Sequence, residues 1–370
     1  MDTGKAILRR DERYILGLRR LYENFGYKNF KMSKFEKYDL YHENKSFLRN
    51  ANIITVSDPA GRLLALKPDI TLSIVKNVRS DTLPEKLYYN ENIYFADSED
   101  REIKETTQVG LEYIGELDIR SLGEILLLAA KSLEATGCNY RVAISHMGFV
   151  SGVIEAVGLG QKDKDAASEF IKDKNLHGLK QICERNNLSE EASSRLCGLI
   201  SVSGKLDETA LKSEELVVDS VKDSYEEILE ISNIISSFGL SDKFILDFSV
   251  MNDFSYYNGL VFQGFVDGVP KTVLSGGRYD NLVKRFGCDT SAAGFAVYTD
   301  LLSRYFYGAD DFDGDVLLVY ANDCNPCDVL KAQEEITNSG ESCVAVTIEP
   351  LNKKYKRKLT MLSDGSLKNE

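Results

Sequence analysis

This sequence predicts an α+β fold: an antiparallel sheet flanked by helices, with a helical insertion and a short C-terminal α/β unit. Three observations carry that reading. The strand-like runs "KFILDFSV", "SYYNGLVFQGFV" and "KTVLSGG" succeed one another across tight turns such as "VDGV", with no helical run between them. Between about Gly158 and Ser213 the apolar period is helical, and polar linkers such as "GQKDKDAA" and "NNLSEEASS" intervene. From Asp315 the order becomes strand, helix, strand. The expected domains are residues 1–310, with the insertion at 158–213 inside them, and residues 315–370.

Each element has its own signal. "DERYILGLRRLYENFGY" places Tyr14, Ile15, Leu18, Leu21, Tyr22 and Phe25 at helical spacing, and Gly26 stops the helix. In "NIITVSDPAGRLLALKPDITLSIVKNV" the turn "DPAG" separates two short apolar runs, and "KPD" begins a helix with Asp69 as its cap. "KLYYNENIYF" and "TTQVGLEYIGE" flank a charged tip and read as a long antiparallel hairpin. The helix "SLGEILLLAAKSLEAT" and the strand "YRVAISH" follow. After the insertion, "SEELVVDSVKDSYEEILEISNIISSFG" reads as one long helix returning to the sheet. Met251 to Gly268, "MNDFSYYNGLVFQGFVDG", reads as a strand that arrives at a ligand with ring hydroxyls and no basic group. The final "LSDGSLKNE" looks frayed.

Composition narrows the function classes. Lys plus Arg is 45 against 58 for Asp plus Glu, a net charge of -13, which works against wrapping a polyanion. No apolar run approaches membrane-spanning length and no signal-like stretch follows "MDTGKAILRRDERY", so the cytoplasm is the expected location, with thiols reduced. The cysteines are scattered. "CNPC", Cys324 to Cys327, has no second CxxC and no adjacent histidine, so it reads as a strand-to-helix turn, with a redox pair as the alternative. His42, His146 and His177 are isolated, and each reads as structural or surface. Gly276 and Gly277 open a strand-to-helix turn without the spacing of a dinucleotide fingerprint, and "KKYKRK" reads as a solvated edge. Neither a metal nor a cofactor is expected.

Taken in order, "ALKPDITLSIVKN", "TTQVGLEYIG", "SYYNGLVFQG" and "LSGGRYDNLVKRFG" followed by "AAGFAVYTDLL" resemble the catalytic domain of histidyl-tRNA synthetases over roughly residues 10 to 305. An echo of the anticodon-binding domain, truncated, follows after 315. The stretch "FKMSKFEKYDLYHENKSFL" with "ALKPDITLSIVKN" looks closer to a paralogous group, the regulatory subunits of ATP phosphoribosyltransferase. The resemblance therefore implies a class II aminoacyl-tRNA synthetase-like sheet.

Charge separates the two groups. Adenylate formation needs cations over the ATP phosphates, because preorganised charge stabilises the transition state. Where the synthetase pattern has arginines, the match places Tyr94, Asn252 and Leu301. The hairpin tip, Ala96 to Glu105, carries five carboxylates against Arg101 and Lys104. Each missing contact of this type typically removes about 3 kcal/mol of transition-state stabilisation, so no catalytic residue and no aminoacylation are expected.

At the amino-acid end the match places Asp69, Thr71, Gln108, Glu112 and Tyr257 where synthetases hold histidine, with Tyr279 nearby. Gln108 and Glu112 are four apart and share a strand face. Glu112 and a tyrosine hydroxyl can bracket an imidazole, and Asp69 and Thr71 can accept from an ammonium. The alternative is a relic polar cluster satisfied internally.

The resemblance implies a non-catalytic regulatory subunit, a homodimer within a hetero-oligomer of hetero-octamer size. Its partner would be the short-form catalytic subunit of ATP phosphoribosyltransferase, which it switches on while relaying feedback by histidine. Neither nucleic acid nor membrane is an expected partner. A genuine histidyl-tRNA synthetase and a tRNA-sensing binding module are the alternatives.

Overall fold

The structure, a computed structural model, describes residues 8–45, 48, 52–79, 82–96, 102–251, 256–306 and 312–369, with backbone alone for 303–306. The chain divides into two compact units, Met1–Ser303 and Arg304–Glu370.

The first unit opens with helix α1 (Arg10–Asn24), which buries Tyr14, Leu18 and Tyr22 at a spacing of four and ends before Gly26, whose φ of 84° suits a residue without a side chain. Short segments follow: β1 (Lys28–Asn29), β2 (Phe35–Lys37), α2 (Tyr38–Glu43), β3 (Thr55–Ser57), β4 (Leu63–Leu66) and α3 (Thr71–Val75). Strands β5 (Glu85–Ala96) and β6 (Ile103–Gly115) form the long hairpin. Helix α4 (Ile119–Glu134) starts at Asp118, whose carboxylate accepts from the Ser121 N–H at 2.8 Å and the Ser121 hydroxyl at 2.6 Å. Strand β7 (Tyr140–His146) leads into α5 (Met147–Ala156), α6 (Gln161–Lys172), α7 (Leu176–Arg185), α8 (Glu190–Ser201), β8 (Ser203–Lys205) and α9 (Leu206–Lys212). The unit closes with α10 (Lys222–Ser237), β9 (Phe244–Asp247), β10 (Leu260–Val266), β11 (Leu274–Arg278), α11 (Asp280–Arg285), β12 (Ser291–Tyr298) and α12 (Thr299–Phe306), within which the unit boundary falls.

Among the described residues these strands form a nine-stranded sheet in the order β1-β5-β6-β12-β11-β10-β7-β9-β8. From β5 to β7 every pairing is antiparallel, whereas β1 joins β5 and β9 joins β7 in parallel. The antiparallel core is thus as expected, and its ends are mixed, because the helices from α5 to α10 carry the chain from β7 to β9 as a crossover. A separate three-stranded sheet, β2-β4-β3, lies ahead of α3.

Helices α1 and α4 cover one face of the large sheet. The Tyr14 hydroxyl donates to the Ser132 carbonyl at 2.9 Å, the Tyr22 and Ser132 hydroxyls are 2.9 Å apart, and the Tyr22 ring lies 6.1 Å from that of Phe295. Alternation along the strands then turns Tyr89, Glu112, Ser275 and Tyr298 to the opposite face, where the candidate site forms.

The second unit has strands β13 (Gly314–Tyr320), β14 (Cys343–Val346), β15 (Tyr355–Met361) and β16 (Leu367–Asn369) in the order β14-β13-β15-β16, with helix α13 (Pro326–Asn338). Val316, Leu318, Val329, Ile336, Leu359 and Met361 form its core. "CNPC" is structural: Asn325 caps α13 by accepting from the Cys327 N–H at 2.9 Å, and the buried Cys324 thiol lies 3.4 Å from the Leu362 carbonyl.

Four expectations are corrected. The segment 158–213 is not wholly helical, since β8 adds to the sheet edge beside β9. "SEELVVDSVKDSYEEILEISNIISSFG" is not one helix: Val217 and Val218 are extended, as suits two β-branched residues, and α10 begins at Lys222. Gly276 and Gly277 lie inside β11 rather than in a turn. The C-terminal stretch is ordered, because Gly365 at φ 82° turns the chain so that β16 pairs with β15. In addition, among the described residues of Met251–Gly268 strand structure is confined to β10, and Tyr256 and Tyr257 precede it in a loop.

Asp118→Ala should cost about 1 kcal/mol of stability in urea unfolding, the usual loss on removing an N-cap, with an unchanged m-value. Glu124, nearly two turns further on and already paired with Lys86, cannot replace it.

Candidate functional site

The site is built around a carboxylate in the middle of a sheet. Glu112 lies in β6, directly opposite Gly294 of β12, and is 2% exposed. A β-carbon at Gly294 would collide with the Glu112 carboxylate, so a glycine there is what leaves the acid room. Two donors hold it. The Tyr279 hydroxyl donates to Oε2 at 2.5 Å and the Thr71 hydroxyl to Oε1 at 2.8 Å.

Thr71 is in place because α3 begins there. Asp69 accepts from the Leu72 N–H at 2.7 Å and so caps the turn, as its position in "KPD" predicted. Tyr279 and Tyr257 are fixed from behind by a polar cluster: Arg278 Nε donates to Asp280 at 2.9 Å, Asn258 Nδ2 donates to Asp280 at 3.1 Å, and the Asp280 N–H donates back to Asn258 at 3.0 Å. The Tyr257 ring lies against Gly277, where a β-carbon would come within 2.7 Å of it. Tyr256 stacks beside Tyr257 at 4.5 Å and Tyr279 at 5.9 Å between ring centroids.

Asp69, Thr71, Gln108, Glu112, Tyr257 and Tyr279 all line one cavity of about 220 Å³. Sequence reasoning had not included Tyr89, Tyr256, Ser275 or Tyr298, which line it too, nor the apolar end formed by Leu48, Ile93 and Phe95. Tyr89 was legible in principle, being in phase with Glu91 and Ile93 along β5. Ser275 and Tyr298, bonded to each other at 2.8 Å, come together only through the pairing of β11 with β12. No lysine or arginine is among the described residues that line the cavity.

The three neutral positions fare differently. Tyr94 alternates away from Ile93 and Phe95, with its ring toward Asn92 and Glu105, so the hairpin presents Ile93 and Phe95 to the cavity. Leu301, in α12, is half-buried and does not line it. Asn252 and hairpin residues 97–101 lie outside the described residues. The isolated histidines are accounted for locally. His146 caps α5 by accepting from the Phe149 N–H at 3.1 Å and lies 3.2 Å from Glu227; His177 bonds Gln181; His42 is exposed beside Tyr38.

Burial pushes the Glu112 carboxyl up to about 8, and nearby Asp69 adds to the rise, while the bonds from Tyr279 and Thr71 oppose it. Burial likewise holds the Tyr89, Tyr256 and Tyr279 hydroxyls well above the usual tyrosine range, so they act as neutral donors and acceptors. Glu112 is therefore held largely protonated near neutral pH, and a cation beside it would favour its ionised form. Among the described residues there is no cluster of His, Cys, Asp and Glu fit to hold a metal ion.

A raised carboxyl makes the folded chain bind more protons than the unfolded one between about pH 4.5 and about 8, so Glu112 stabilises fully below that window and ever less as pH rises through it. The melting temperature of the wild type should therefore fall relative to that of Glu112→Gln between about pH 5 and about pH 8. Parallel melting-temperature profiles would show that Glu112 titrates normally.

The histidyl-tRNA synthetase family profile matches residues 2–302. An ATP phosphoribosyltransferase regulatory subunit from Caldanaerobacter subterraneus subsp. tengcongensis is 30% identical over 292 residues, covering 75% of this chain and 74% of the relative. A crystal structure of an ATP phosphoribosyltransferase regulatory subunit/histidyl-tRNA synthetase from Bacillus halodurans superposes with a TM-score of 0.78 at 24% identity, covering 95% of this chain and 94% of that one. A chain of an ATP phosphoribosyl transferase (HisG:HisZ) complex from Thermotoga maritima gives 0.64 at 17% identity, over 78% of this chain and 97% of that one. The last two likenesses establish the class II synthetase fold. The chain belongs to the histidyl-tRNA synthetase family and, within it, to the group of ATP phosphoribosyltransferase regulatory subunits.

Proposed function

We infer that this chain is the non-catalytic subunit that the short-form catalytic subunit of ATP phosphoribosyltransferase needs for activity, and that it conveys feedback by histidine. The observation that carries this reading is the cavity itself, in which acids and phenols surround a small space and no described lining residue is a lysine or arginine. Such a lining suits an amino acid bearing an ammonium and an imidazole, and gives no grip on the triphosphate an activating enzyme must hold.

In this reading the imidazole sits between Glu112 and a tyrosine hydroxyl, which take its two nitrogens, Asp69 and Thr71 take the ammonium, and Gln108 completes the polar lining. The chain acts as a homodimer inside a hetero-oligomer, a hetero-octamer, in the cytoplasm and without nucleic acid. Among the described residues no helix is long and apolar enough to cross a membrane. The C-terminal unit corresponds to a truncated anticodon-binding domain. Feedback is then linkage: histidine shifts the complex toward whichever state binds it better, by no more than its difference in affinity between the two states.

The test is reconstitution. The short-form catalytic subunit should be nearly inactive alone, gain activity with this chain, and lose it again as histidine is added. Replacing the chain by Glu112→Gln should preserve activation and raise the histidine needed for half-inhibition by about tenfold or more, the expected loss of a charge-assisted hydrogen bond. A catalytic subunit equally active with and without this chain would overturn the reading. Normal inhibition with Glu112→Gln would move the feedback site out of this cavity.

A further inference from the structure

One buried cation adjoins the cavity lining in sequence. Lys67 has a fully buried side chain, and its ammonium donates to Glu91 at 2.8 Å, the Glu91 side chain being 19% exposed. Glu91 has the same parity in β5 as Tyr89, Ile93 and Phe95, which line the cavity, and pairs across the hairpin with Gln108, which lines it too. Lys67 immediately precedes Pro68 and Asp69, both in the lining, and is pinned on both sides of its backbone. Its N–H donates to the Lys34 carbonyl at 3.1 Å and its carbonyl accepts from the Tyr94 N–H at 2.9 Å. A buried ammonium needs a counter-charge, and Glu91 supplies it.

We propose that Glu91 sets the charge selectivity of the cavity: by engaging Lys67 it withholds that ammonium from the site, so that phosphate-bearing anions find no cation there. The missing arginines alone would leave a lysine within one side chain of the cavity. The Lys67–Glu91 pair removes it from play while also fastening the corner that presents Asp69 and Thr71 to the strand that presents Tyr89. This deepens the reading of the cavity as the ligand site, but its test does not require that histidine bind, so the two fail separately.

The probe is inorganic pyrophosphate, titrated calorimetrically into the full chain. Glu91→Gln removes the counter-charge on the Lys67 ammonium without changing side-chain size, leaving only a neutral acceptor to compete for it, and should bind pyrophosphate at least about tenfold more tightly than the wild type, the gain expected from one charge-assisted hydrogen bond. Adding Lys67→Met to it should abolish the gain. Should Glu91→Gln not fold, as judged by circular dichroism and thermal melting, Glu91→Asp keeps the charge but shortens its reach and should show a smaller gain in the same direction. A folded Glu91 variant that binds pyrophosphate no better than the wild type, or a gain that survives Lys67→Met, would overturn the proposal.

Discussion

The site rests on the accommodation of one carboxylate inside a sheet. Glu112 is buried on the cavity face of the antiparallel core, and Gly294, its partner across the ladder, has no side chain to compete for the space. Burying an acid this completely is costly unless donors meet it, and Tyr279 and Thr71 do so from two separate elements. Those elements are held in turn by Asp280 with Asn258 and Arg278, and by the Asp69 cap of α3. Much of the local architecture on this face of the sheet follows from giving one buried oxygen pair its hydrogen bonds.

The same principle explains why a synthetase fold can exist without synthetase chemistry. The sheet, its covering helices and the amino-acid end of the cavity depend on burial and neutral hydrogen bonding, whereas activation of an amino acid depends on cations at the other end. Among the described residues that line the cavity none is a lysine or arginine, and Lys67, just ahead of the lining residues Pro68 and Asp69, is paired with Glu91.

What was legible in the sequence follows from range. Helix α1, the hairpin and the Asp69 cap are written in local periodicity and capping residues, and the structure has them where those signals lie. Asp69, Thr71, Gln108, Glu112, Tyr257 and Tyr279, scattered over two hundred residues, were placed through ordered motifs and do meet in one cavity. Tyr256, Ser275 and Tyr298 depend on ring stacking and strand register, which one sequence does not specify. Tyr94 illustrates how sharp the limit is: a shift of one residue along β5 exchanges the cavity face for the other. Strands β8 and β16 were missed because three-residue segments at a sheet edge are too short to carry hydrophobic alternation.

The most direct measurement of the central claim is a calorimetric titration of the purified chain with histidine and, separately, with leucine, at pH values on either side of neutrality. The account predicts that histidine binds and leucine does not, and that below about pH 6, where the imidazole arrives already protonated, binding releases protons as the Glu112 carboxyl ionises, so that the observed heat depends on the ionisation enthalpy of the buffer. At about pH 7.5 the Glu112 proton passes to the neutral imidazole and the release falls away. Equal binding of the two amino acids, or histidine binding with no proton released below about pH 6, would contradict the assignment of this cavity as a site organised by Glu112.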